Sequence, residues 1–298
     1  MKQHVGLMMV FLLFLVFTIS ACQPIVAPTT VGPDRATESA PIVVVDFEAI
    51  APTCADGTVV LSDSSFHAGS TEIVEIVQEE GERYFTITAV SSPVAYPDST
   101  LVEPGEGVDT VDGGFFVIHH GSGTGSLAGT EEIYTATPPE DGTDLPCEPV
   151  GPVAKLQGIM IIPEGTSIDV GETGMPATRF EAIDIACADG GVVLSAEPMV
   201  AGRSEVSATQ EPDDPFFLIN SRMFPTAYPD GSWEAPGAGF DKPDGTFMVL
   251  HQGHGVGELE GSRILFTVVS TEADDLPCEP VGPVVKLAGV IIHADAAQ

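Results

Sequence analysis

Gly121-Ser122-Gly123-Thr124-Gly125-Ser126-Leu127-Ala128-Gly129 directly follows the apolar run Phe115–Ile118. The same design returns as Gly253-His254-Gly255-Val256-Gly257-Glu258-Leu259-Glu260-Gly261 after Phe247–Leu250. Alternate glycines strip the side chains from one face of a strand. That permits tight coiling of a sheet or the close approach of another backbone. The pattern therefore points to a strongly curved all-β fold, and its recurrence points to a duplication.

The duplication extends well beyond these segments. Phe47-Glu48-Ala49-Ile50, Cys54-Ala55-Asp56-Gly57 and Val59-Val60-Leu61-Ser62 recur as Phe180–Ile183, Cys187–Gly190 and Val192–Ser195. Ala95-Tyr96-Pro97-Asp98 recurs at Ala227–Asp230, and Asp144–Pro152 recurs intact at Asp275–Pro283. The order is kept, and the unit of roughly 115 residues is of ordinary domain size. Two tandem β-domains are expected, residues 42–163 and 179–294, joined by a linker at 164–178.

Within each copy the apolar period is two, not 3.6. In the first copy the expected strands are 42–50, 58–62, 71–77, 84–90, 114–120, 122–128, 131–137 and 153–162, with Ala-Asp-Gly, Tyr-Pro-Asp and Pro-Glu-Asp-Gly turns between some of them. About eight short strands per copy imply an antiparallel barrel or sandwich. The G-x-G-x-G-x-L-x-G pattern resembles the glycine-rich strand of allene oxide cyclase and dirigent-type barrels, which favours the barrel. The resemblance covers about ten residues per copy, and those families often carry an aromatic where Leu127 and Leu259 stand. It implies the fold. No catalytic residue of those families maps onto this chain by motif.

At the N-terminus, Lys2 precedes an uncharged apolar run from Val5 to Ile19 and then Ser20-Ala21-Cys22. This is the secretory signal pattern. With Thr18-Ile19-Ser20-Ala21-Cys22 it resembles the lipobox of bacterial lipoproteins. That resemblance implies a signal peptide at 1–21, lipidation of Cys22, and a membrane-anchored protein at the cell surface or periplasmic face. Gln23 follows the cysteine, so the Asp that retains such proteins at the inner membrane is absent. An uncut anchor and ordinary secretion are the alternatives. Residues 22–41, rich in Pro, Thr, Ala and Ser, are expected to form a flexible stalk.

The chain carries 10 Lys and Arg against 44 Asp and Glu, a net charge of −34. Phosphate binding needs clustered basic residues, so nucleic acid is excluded as a partner. Besides Cys22 there are four cysteines, two per copy at equivalent places. In an exported protein disulfides are the expectation, and the duplication favours Cys54–Cys147 and Cys187–Cys278 among the three possible pairings. No C-x-x-C pair suggests zinc. If first and last strands of each copy are neighbours, Glu48 can face Lys155 and Glu181 can face Lys286 as ion pairs.

His119 and His251 stand at equivalent positions just before the glycine-rich segments, and could serve as base or metal ligand at a barrel mouth. A strand-end histidine bonded to backbone is the plainer reading. The turn residues Asp56, Asp98, Asp112, Asp189, Asp230 and Asp244 raise the alternative of calcium, though no D-x-D-x-D-G loop is present. Trp233 lies in a Gly/Pro-rich stretch. The expected role is non-enzymatic: binding of a small apolar ligand or a surface partner, or an envelope structural part. The alternatives are a cyclase- or isomerase-type enzyme in the barrel interior and a calcium-dependent adhesion module.

Overall fold

A computed structural model describes residues 41–140, 145–166, 168, 174–274 and 276–293. The expected signal peptide, Cys22 and the stalk up to residue 40 lie outside the described residues. The described chain is built from strands, with a single 3-10 turn at Gly125–Leu127.

The first repeat contains β1 (Ile42–Cys54), β2 (Gly57–Ser62), β3 (Gly69–Gln78), β4 (Tyr84–Pro93), β5 (Leu101–Asp109), β6 (Phe115–Gly123), β7 (Glu131–Thr137) and β8 (Val153–Pro163). Each strand pairs antiparallel with the next, and β8 returns to β1 along its length, from Ile42↔Pro163 to Pro52↔Val153. This closes an eight-stranded barrel. The second repeat supplies β9 (Met175–Cys187), β10 (Gly190–Ser195), β11 (Gly202–Gln210), β12 (Phe216–Pro225), β13 (Gly231–Asp241), β14 (Phe247–Gly257), β15 (Arg263–Ser270) and β16 (Val284–Ile292). They follow the same order, with β9 paired to both β10 and β16.

The strand count agrees with the sequence reading, but one strand differs. Residues 124–128 leave the sheet in a tight turn, so no strand spans 122–128. The eighth strand is instead β5, Leu-Val-Glu-Pro-Gly-Glu-Gly-Val-Asp, whose glycines, proline and acids resemble a loop. Similarly β9 starts at Met175, inside the stretch expected as linker.

Closure is fastened covalently. Cys54, at the end of β1, bonds to Cys147 in the loop before β8, and Cys187 bonds to Cys278 in the same way. By the chain-entropy model each such bridge contributes roughly 4–5 kcal/mol.

The described residues fall within one compact unit. The reason lies in strands that are buried on both faces. In β1, Val45, Phe47 and Ala49 are buried along one face, while Ile42 and Val44 on the other join a second core. That core draws Ile118, Ile133 and Ile161 from the first repeat and Leu250, Leu265 and Ile292 from the same positions of the second. The interface is thus self-complementary, like that of a two-fold dimer. A short β1–β9 pairing continues it (Ile42↔Ala177 and Val44↔Met175). At its rim Arg263 holds Asp46 with two bonds of 2.6 Å, and Arg179 holds Glu131 at 2.8 Å.

Candidate functional site

Pro104 organises the interior of the first repeat. A proline inside a strand has no N–H to give to the ladder. The β5–β6 pairing runs from Leu101↔Gly123 to Val102↔Ser122 and resumes only at Gly105↔His119, skipping Glu103 and Pro104. The Glu103 carbonyl is taken instead by Nδ1 of His119, at 3.1 Å. Gly105 makes room for the imidazole, since a Cβ there would stand 2.7 Å from Nδ1. The second repeat repeats the device. Ala235 and Pro236 are skipped, the Ala235 carbonyl accepts from Nδ1 of His251 at 2.8 Å, and Gly237 lies under the ring.

Both histidines are therefore bonded to backbone, as the plainer reading expects, but they are buried inside their repeats, within β6 and β14, rather than at a strand end. Burial pushes each imidazole down to about 4, so both are neutral at ordinary pH. With Nδ1–H committed to backbone, Nε2 carries the free lone pair. Each ring also stacks on an aromatic of the next strand, His119 on Tyr134 at 4.6 Å and His251 on Phe266 at 4.7 Å.

Each histidine lines a cavity. In the first repeat it measures about 300 Å³, with walls of Phe85, Ile87, Val117, Ala136 and Leu156 and a polar end of Ser91, Glu103, His119 and Tyr134. In the second it measures about 540 Å³, with Val249, Phe266, Val268 and Leu287 among its walls. Its polar groups include His251, Ser221 and Asp184, whose carboxylate accepts from Ser204 Oγ at 2.8 Å. Burial raises the Asp184 carboxyl above its usual range.

The first repeat holds a further network. Glu103 and Glu132 are 3% and 1% exposed, and their carboxyls are close enough to act on each other directly. The Tyr134 hydroxyl donates to Glu103 Oε2 at 3.0 Å, and Ser91 lines the same end of the cavity. His67 Nε2 lies 3.0 Å from Glu132 Oε2, while its Nδ1 lies 3.3 Å from Ser64 Oγ. The tautomer that satisfies both has Nε2–H donating to Glu132 and Nδ1 accepting from Ser64. Phe47 stacks on His67 with ring centres 3.4 Å apart. Burial, and then the neighbouring charge of Glu132, push the Glu103 carboxyl up to about 8. Burial pushes Glu132 up to about 7 and His67 down to about 4. Two carboxyls this close cannot both ionise cheaply, so near neutral pH they hold a proton between them. Glu132 Oε1 is buried with no hydrogen-bond partner and sits over Gly121, where a Cβ would lie 2.1 Å away. The glycine-rich segment is thus the recess that admits this carboxylate.

The other expected positions fall as follows. Lys286 pairs with Glu181 at 2.7 Å, both largely exposed. Among the described residues no ion pair joins Lys155 to Glu48, although β1 and β8 are neighbours with the corresponding register. Among the described residues no three His, Cys, Asp or Glu side chains gather as a metal site. Asp112 and Asp244 instead bond their own turns, through Thr110 and Gly114 and through Thr246. Trp233 is in β13, wholly buried, with its indole N–H donating to the Met199 carbonyl at 2.7 Å.

Sequence reasoning missed Glu103, Glu132, His67 and Tyr134. A signal was present. These are positions at which the repeats diverge, to Ala235, Ile264, Val200 and Phe266. No family model, curated protein or solved structure matches the chain.

Proposed function

We propose that the chain is an exported lipoprotein, anchored by lipid on Cys22, whose two repeats act as β-barrel domains that each carry a small apolar ligand. The observation that carries this reading is the pair of apolar cavities at equivalent places, each floored by a histidine locked to backbone. Ligand sites have this character: mostly apolar walls and a few fixed polar groups. The two disulfides accord with an oxidising, exported setting.

Native mass spectrometry of the processed chain with an apolar probe such as octanol tests it. Wild type is expected to take two ligands and to carry acyl mass on Cys22. Ala136→Phe or Val268→Phe, each filling one cavity, leaves one. Unchanged binding in both variants would overturn the carrier reading, and an unmodified Cys22 would overturn the anchor.

The buried carboxyl pair favours a second reading, an isomerase- or cyclase-type reaction. Here Glu103, rather than His119 or His251, takes a proton from a substrate carbon and returns it elsewhere on the same molecule. Ligand recovered from the chain in heavy water would then carry deuterium. Its absence rejects this reading.

A further inference from the structure

We propose that the cavity of the first repeat selects a small apolar amine, whose ammonium group seats against the Glu103–Glu132 carboxyl pair. This deepens the carrier reading and rests on it. Glu103 stands on the cavity wall, with the buried Glu132 carboxyl behind it and coupled to it. The groups that bond the pair are Tyr134 and His67, with Ser91 nearby, and none brings a positive charge at neutral pH. Among the described residues no Lys or Arg pairs with either carboxylate. Beyond the pair itself, no donor reaches Glu132 Oε1.

A buried carboxylate pair without a cation is costly, and it is stabilised strongly by one that arrives. An ammonium brings three N–H donors and the missing charge. An alcohol brings a single donor and no charge, and a carboxylate ligand is repelled. The cavity of about 300 Å³ is at the small end for ligand sites, which limits the apolar body of the amine. The net charge of −34 raises the local concentration of cations outside. In the second repeat Ala235 and Ile264 take the places of the two carboxyls, so its cavity lacks the pair and carries instead the single carboxylates of Asp184, bonded by Ser204, and Glu205.

Binding of the amine must displace the proton that the carboxyls hold. The groups facing them are Ser91 from β4, His119 from β6, Glu132 and Tyr134 from β7, and His67 from the β2–β3 loop. Both histidines stay neutral above about 4, and burial raises the Tyr134 hydroxyl so that it stays protonated. The carboxyls are thus the groups that titrate near neutrality. Affinity should rise from pH 6 to pH 8, by at most about tenfold per pH unit for each proton released, and fall only once the amine itself loses its proton near pH 10.

The test is isothermal titration of the full chain in maltoside micelles with octylamine, octanol and octanoate. Partitioning into detergent differs between the probes but is the same for wild type and variant, so a detergent-only blank corrects each probe and the preference is read as the change in the octylamine-to-octanol ratio on Glu103→Gln. At pH 7.5 octylamine should bind one site at least about tenfold more tightly than octanol, releasing protons detectable as a buffer-dependent heat. Glu103→Gln should remove that preference, bringing octylamine to the level of octanol in the same variant. Octanol binding as well as octylamine, or amine binding without proton release in wild type, overturns the amine proposal and leaves the carrier reading standing. Failure of all three probes overturns both.

Discussion

Where the first repeat buries Glu132, Tyr134, Glu103 and His67, the second buries Ile264, Phe266, Ala235 and Val200. The backbone around them is the same: the interrupted ladder at proline, the histidine on the exposed carbonyl, the glycine beneath it, and the bridge from first strand to last loop. The second repeat is therefore an internal control. It shows that this strand order pairs and packs with apolar residues at those four positions, so the four polar residues of the first are not needed for the architecture. Burying two carboxyls opposes folding unless they are well partnered. A network kept at that cost, with one oxygen left unpartnered and a cavity beside it, is the place to look for function.

Four experiments would break or sharpen this comparison. The largest expected effect is common to both repeats. The loops closed by the two bridges span 93 and 91 residues, so Cys54→Ala/Cys147→Ala and Cys187→Ala/Cys278→Ala should each destabilise by about 4–5 kcal/mol in denaturant unfolding. A large inequality between them would mean that the repeats do not close equivalently.

The second experiment exchanges the interiors. Placing the second repeat's residues in the first (His67→Val, Glu103→Ala, Glu132→Ile and Tyr134→Phe together) should stabilise the chain by about 1–4 kcal/mol, as replacement of buried charged groups often does. Glu132→Ile alone should gain less or lose, because it strands His67 and part of Glu103. A destabilised quadruple variant would show that the network holds the fold.

The third is pH dependence. Glu103 and Glu132 have folded values raised above the ordinary carboxyl range, so the native state holds protons that the unfolded chain has lost. Their contribution therefore falls as pH rises from about 4.5, and the loss is complete above about 8. His67, His119 and His251 have depressed values, so their contribution grows as pH rises from about 4 to 6.5. The two trends oppose each other below pH 6.5, and only the carboxyls act from there to pH 8. Wild-type stability should decline over that upper window, and the decline should vanish in the quadruple variant.

The smallest effect concerns the last strands. Lys286→Met removes an exposed ion pair and should cost at most about 1 kcal/mol, while Lys155→Met, whose lysine does not reach Glu48, should be close to neutral. Equal losses at both sites in chemical denaturation would show that the two pairs form alike in solution.

Much of this architecture was legible in the sequence. The duplicated Cys-Ala-Asp-Gly and Leu-Pro-Cys-Glu-Pro segments specified the bridges, and period-two alternation located seven of the eight strands of the first repeat. The eighth, β5, was hidden because Pro104, Gly105 and Gly107 weaken strand propensity, and closure of the barrel overrides it. Packing of the repeats was foreshadowed by the unbroken apolar runs Ile42–Val45 and Ile159–Ile162, too continuous for strands with one wet face. The carboxyl pair was hidden by composition. In a chain with 44 acidic residues, Glu103 and Glu132 look like solvated surface until the register turns them inward.

The central claim is that the first repeat alone buries two carboxyls that share a proton near neutrality. Carbon-13 NMR of the chain labelled at the glutamate carboxyl carbons, titrated from pH 3 to pH 10, tests it most directly. Two resonances should titrate close to or above neutrality, well beyond the ordinary glutamate value of about 4.3, and both should be missing from the quadruple variant. If every glutamate in the wild-type chain titrates in the ordinary range, the carboxyls are hydrated and the account of this site is wrong.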